Sequence, residues 1–96
     1  MVIGVLKIEL YMNGNRSLKE KRQVLRSLIQ RIKSHFSNVS ISEVDSHNLW
    51  KRATIGVSFV SNETPHVNST LDQVLKFIDS SGIVLIGARE MEIFHF

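Results

Sequence analysis

A chain of 96 residues with 43% apolar content and a formal charge of +3 suits one domain, burying about two thirds of the surface its unfolded chain exposes, with no second core. It contains no cysteine, which excludes a disulfide framework, a thiol nucleophile and a thiolate metal site. No apolar run reaches the roughly 18 residues of a membrane span. The opening Met1-Val2-Ile3-Gly4-Val5-Leu6-Lys7 reads as a strand rather than a signal peptide, so the expected compartment is the cytoplasm.

From Val2 to Met12 the even positions are Val2, Gly4, Leu6, Ile8, Leu10 and Met12, while Lys7, Glu9 and Tyr11 occupy odd ones. That alternation predicts a half-buried strand with its even face toward helices. Asn13-Gly14-Asn15 is a turn cluster. Ser17 stands three residues before Glu20, the capping-box spacing, in which each side chain satisfies an amide at the other's position. A helix therefore starts there, and Leu18, Leu25, Leu28, Ile29, Ile32 and Phe36 give it one apolar stripe.

Val39 to Asp45 reads as a second strand, and Ser46-His47-Asn48-Leu49 as a connection. From Trp50, the alternation of Ala53, Ile55, Val57 and Phe59 with Arg52, Thr54, Gly56 and Ser58 predicts a third strand with the odd set inward. Thr64-Pro65 is an N-cap and first-turn pair. Val67, Leu71, Val74, Leu75 and Ile78 supply a second helical stripe over about 65–80, Gly82 is a C-terminal stop, and Ile83 to Phe96 is a final strand. The order strand, helix, strand, strand, helix, strand predicts an α+β ferredoxin-like βαββαβ sandwich. Its four-stranded antiparallel sheet carries both helices on one face. In that fold the spatial order is fourth, first, third, second, and the far face of the sheet stays open.

Charge is unevenly distributed. Residues 16–33 hold seven bases against the single acid Glu20, a formal +6, which leaves −3 for the rest of the chain. At about 100° per residue, Lys19, Arg22, Arg26 and Lys33 share one flank of the first helix. Four phosphate contacts there would give a salt slope of about −3 on single-stranded nucleic acid. The plainer alternative is a helix charged for solubility, which acids would serve equally well. Lys21 instead falls within the apolar arc; the expectation is that its stem lies on the core and its ammonium snorkels to solvent, with an ion pair to Glu43 or Asp45 as the alternative.

The strand ending in Tyr11-Met12, the run Ser17-Leu18-Lys19-Glu20-Lys21-Arg22, Glu43-Val44-Asp45 and Leu49-Trp50-Lys51-Arg52-Ala53 together resemble the YlxP-like family, small bacterial proteins classed as a domain of unknown function. Gly56-Val57 and Val60-Ser61-Asn62 extend the resemblance along the chain. It implies a ferredoxin-like fold, genes commonly lying near those for translation initiation and ribosome maturation, and no assigned catalytic reaction. Relatives often carry a histidine directly after the aspartate, where this chain has Ser46.

The leading functional expectation is a non-enzymatic RNA- or ribosome-associated protein. It would use Lys19, Arg22, Arg26 and Lys33 for phosphates, with Trp50 and Arg52 as further candidates. Trp50, Arg52, Thr54, Ser58, Tyr11 and Lys7 are expected on the open sheet face, where an aromatic and basic platform could stack unpaired bases. The same face, with Ile3, Val5, Trp50 and Val60, equally suits a homodimer or another protein partner, and the last strand suits edge pairing. Glu43, Asp45 and His47, at i, i+2 and i+4, are the outside candidates for a metal site and metal-assisted hydrolysis. The glycines supply no phosphate loop, since Gly4, Gly14, Gly56, Gly82 and Gly87 are too dispersed to cradle a nucleotide. No cofactor, small-molecule substrate or membrane partner is expected.

Overall fold

The computed structural model describes all 96 residues. Six elements follow one another: β1 (Val2–Tyr11), α1 (Leu18–His35), β2 (Ser40–Asp45), β3 (Arg52–Ser61), α2 (Thr64–Ser80) and β4 (Leu85–His95). The sheet order is β2-β3-β1-β4, and every neighbouring pair is antiparallel. This is the expected ferredoxin-like arrangement, with β1 and β3 central. Their ladder runs without a break from Val2 opposite Ser61 to Tyr11 opposite Arg52.

The period-two pattern of β1 sends its even residues, from Val2 to Met12, into the core beneath the helices. Ala53, Ile55, Val57 and Phe59 of β3 meet them. Above, α1 contributes Leu25, Leu28 and Ile32, and α2 contributes Val67, Leu71, Val74 and Ile78. Both sets repeat at three- and four-residue spacing, which puts them on one side of each helix.

The helix ends differ in detail from the sequence expectation. Ser17 caps α1 as predicted, its Oγ accepting from the Glu20 N–H at 3.2 Å. The Glu20 carboxylate, however, accepts from the Arg16 N–H rather than returning to Ser17, so the reciprocal box is open by one residue. For α2 the N-cap is Glu63 rather than Thr64, with Pro65 in the first turn. No side chain caps the first-turn amides of α2; just ahead of it, Ser61 Oγ accepts from the N–H of Glu63 at 3.3 Å. Gly82 follows the last turn with φ +70°, a left-handed position that glycine occupies without a Cβ penalty.

β1 and α2 approach closely at Gly4. A methyl group there would press on Val67 Cγ1 and lie 2.8 Å from Leu71 Cδ1. Val67 is β-branched and stiff, so the contact cannot be relieved by a simple rotamer change. Gly4→Ala is expected to cost about 1–3 kcal/mol in equilibrium unfolding. Gly14→Ala, where nothing lies within 4 Å of the added carbon, is expected to cost far less.

A basic helix anchored by a buried ion pair

Lys21 occupies the apolar arc of α1, and its side chain is 0% exposed. The snorkelling expectation is therefore corrected: the ammonium turns inward and finds its charge partner inside the protein. Lys21 Nζ lies 2.9 Å from Glu43 Oε2, off the hydrogen-bonding direction of that oxygen, so this contact is one of charge. The directed hydrogen bond goes to the Ser46 carbonyl at 2.6 Å, with the His47 carbonyl at 3.4 Å. A bare ammonium cannot be enclosed without such compensation.

This arrangement ties α1 to the β2–β3 connection. Ser46 has φ +63°, an uncommon left-handed conformation for a residue with a side chain. Its N–H donates to Asp45 Oδ1 at 2.7 Å, and its Oγ lies 3.1 Å from Thr54 Oγ1. Farther along, buried Asn15 donates from Nδ2 to the Trp50 carbonyl at 2.8 Å, and the Met12 N–H donates to the Lys51 carbonyl at 2.8 Å. Asn15 and Ser46 read in the sequence only as turn and connection residues. No local spacing signals a bond that spans 35 positions.

With Lys21 facing inward, Lys19, Arg22, Arg26 and Lys33 are carried to an exposed flank of α1. Among the salt bridges of the protein, which join Lys7 to Glu90, Lys21 to Glu43 and Arg52 to Glu9, none involves these four. The stripe is thus basic, exposed and free of internal acidic partners. From Lys19 to Lys33 it runs about 21 Å along the helix axis, at roughly 1.5 Å per residue.

The other candidates lie elsewhere. Trp50 is not on β3, which begins at Arg52; it sits in the pinned connection, with 49% of its surface exposed. Arg52 is on the sheet face opposite the helices, 4.0 Å from Glu9 Oε1. Tyr11 packs against Gly87 and donates its hydroxyl to Glu9 at 3.1 Å, while Lys7 lies 3.7 Å from Glu90 Oε1. Trp50 and Arg52 still meet, lining one shallow pocket with Leu49 and Lys51, but Trp50 stands outside the strand ladder, and the bases Arg52 and Lys7 already face carboxylates. Glu43, Asp45 and His47 do not converge either. A register irregularity between Glu43 and Asp45 breaks the alternation that a straight strand requires. Glu43 faces Lys21, Asp45 holds the Ser46 amide, and His47 lies in the connection.

Fold and site together describe a small ferredoxin-like domain that carries one unpaired basic helix. The family model "Protein of unknown function (DUF503)" matches residues 3–90, and the chain belongs to that family. It is 39% identical over 79 residues to the uncharacterized protein YlxP of Bacillus subtilis (strain 168), covering 82% of this chain and 85% of that protein. Among solved structures, TA0507, provisionally assigned as a chlorite dismutase, superposes with a TM-score of 0.63 at 9% identity. The match takes in 99% of this chain but only 45% of that one, so the chain spans a little under half its length. A de novo designed protein with ferredoxin fold, LFR1 1, matches with a TM-score of 0.51 at 9% identity, over 96% of this chain and 85% of the design. At such identities the likeness is one of fold.

The ion pair makes an asymmetric prediction. Glu43→Leu leaves an ammonium that cannot reach water, and is expected to cost about 3–5 kcal/mol in chemical denaturation. Lys21→Met is expected to cost less, since the Glu43 side chain is 17% exposed and can turn outward. The double variant is expected to recover much of the loss, giving a clearly non-additive cycle; strict additivity would contradict the pairing.

Proposed function

We propose that the protein is a non-enzymatic, cytoplasmic RNA- or ribosome-associated protein that binds phosphates through the exposed flank of α1. The observation that carries this reading is the set Lys19, Arg22, Arg26 and Lys33: four exposed bases on one helical flank, with no internal carboxylate near enough to pair. A face charged only for solubility would be served as well by mixed signs, whereas a one-sign stripe attracts a polyanion over distance and releases its counterions on contact. Arg22 and Arg26 bring planar guanidinium groups suited to two-point phosphate contacts, and Lys19 and Lys33 flank them as compact charges.

The remaining sequence agrees with a binding role. Glu43, Asp45 and His47 are engaged or separated as described, so this trio does not form a metal-assisted hydrolytic site. No helix is long and apolar enough to cross a membrane. The genomic setting implied by the YlxP-like resemblance, near translation and ribosome-maturation genes, fits an RNA partner better than another polyanion.

The test is sedimentation of lysate through a sucrose gradient at native expression level. Wild-type protein is expected to migrate with ribosomal particles and to return to the top of the gradient after RNase treatment or in raised salt. Charge reversal at Lys19, Arg22, Arg26 and Lys33 is expected to abolish co-migration while leaving the circular-dichroism spectrum unchanged. A folded quadruple variant that still migrates with RNA in a salt-sensitive manner would remove α1 from the mechanism.

A further inference from the structure

The sheet face turned away from the helices has a structure of its own that the basic helix does not use. Strand register sorts it into rows. At one end Val60, Ile3 and Phe94 lie side by side across β3, β1 and β4. Val60 is 54% exposed and Phe94 43%, so this row forms an apolar ridge. The rows beside it place Ser40, Ser58, Val5 and Glu92 together, then Ser42, Gly56, Lys7 and Glu90. Small side chains on β2 and β3 leave a trough there of about 520 Å³, walled by Val5 and Val44. Gly56 keeps its floor low, because a Cβ at that position would lie 2.9 Å from Val44 Cγ1.

We propose that a second copy of this chain docks on this face, forming a two-fold dimer in which the Val60–Ile3–Phe94 ridge of each copy seats in the Ser42–Gly56–Ser58 trough of the other. Three observations favour a second copy over other occupants. Ridge and trough sit on the same surface at different heights along the strands, which is the self-complementarity an isologous interface requires. The charges of the face are nearly balanced, Lys7 with Glu90 and Arg52 with Glu9, with Asp45 and Arg89 beside them and Glu92 in excess. That balance offers a nucleic acid no attraction and suits a protein surface of the same composition. The area is also sufficient. Four strands about 4.8 Å apart, of six to eleven residues at about 3.3 Å each, give roughly 600 Å² per copy. That is about a tenth of the 5959 Å² surface of the protein, and the pair together reaches the lower bound of stable interfaces, about 1,200 Å².

The resulting assembly would have four layers, helices outside and sheets within. Both basic α1 flanks would then face solvent on opposite sides, so the dimer is independent of RNA binding and compatible with it.

Light scattering after gel filtration, at about 100 µM protein in low and in molar salt, tests the proposal. The expected mass is twice the 11.0 kDa of the chain, in both buffers, since apolar contacts are not screened. Val60→Glu and Ser58→Arg attack the ridge and the trough separately at positions outside the helix-facing core. Each is expected to raise the dissociation constant at least about 100-fold with an unchanged circular-dichroism spectrum, while Lys19→Glu leaves the dimer intact. A wild-type monomer at this concentration would overturn the proposal. So would a dimer that survives both folded variants, which would point instead to pairing along the β4 edge.

Discussion

The enclosure of Lys21 against Glu43, together with the apolar stripe of α1, is the constraint that orients the exposed basic flank. Lys21 lies on the inward arc of α1, fully enclosed, and its partners all belong to β2 or to the connection that follows it. Lys21 thus joins Leu25, Leu28 and Ile32 in holding one side of α1 inward, and it ties the helix to the neighbouring loop. With that side inward, Lys19, Arg22, Arg26 and Lys33 face solvent. Buried pairs contribute little net stability, because desolvation offsets most of the Coulomb attraction. The role assigned to this one is orientation.

The two faces of the sandwich consequently offer different chemistry. On one flank of α1, Lys19, Arg22, Arg26 and Lys33 stand without salt-bridge partners, and the attraction they exert is long-ranged and weakened by salt. On the sheet side, charges are matched within the surface and apolar residues are exposed beside small ones. The two proposals therefore place a polyanion and a second copy of the chain on opposite sides of the 96-residue domain, without competition for residues.

Much of this was legible in the sequence. The alternation of β1 and β3, the stripes of both helices and the capping role of Ser17 follow from local periodicity and spacing, and they determine element order and the buried face of each element. What escaped was tertiary. Trp50 continues the alternating pattern of β3 by composition, yet Lys21 and Asn15 hold the chain in a turn until Arg52 enters the ladder. The shared direction expected of Glu43, Asp45 and His47 fails at a register irregularity that no residue type announces. Lys21 itself was marked as unusual by its helical angle. Whether its ammonium turned out or in depended on Glu43 and two carbonyls more than 20 positions away.

Lysine footprinting of the purified protein with an amine-acylating reagent, with and without saturating single-stranded RNA, tests this account most directly. Lys21 is predicted to stay unmodified in both conditions. Lys19 and Lys33 are predicted to react freely in the protein alone and to be protected by RNA, while Lys76 on α2 reacts equally in both. Ready modification of Lys21 in the folded protein, or unchanged reactivity of Lys19 and Lys33 with RNA bound, would contradict it.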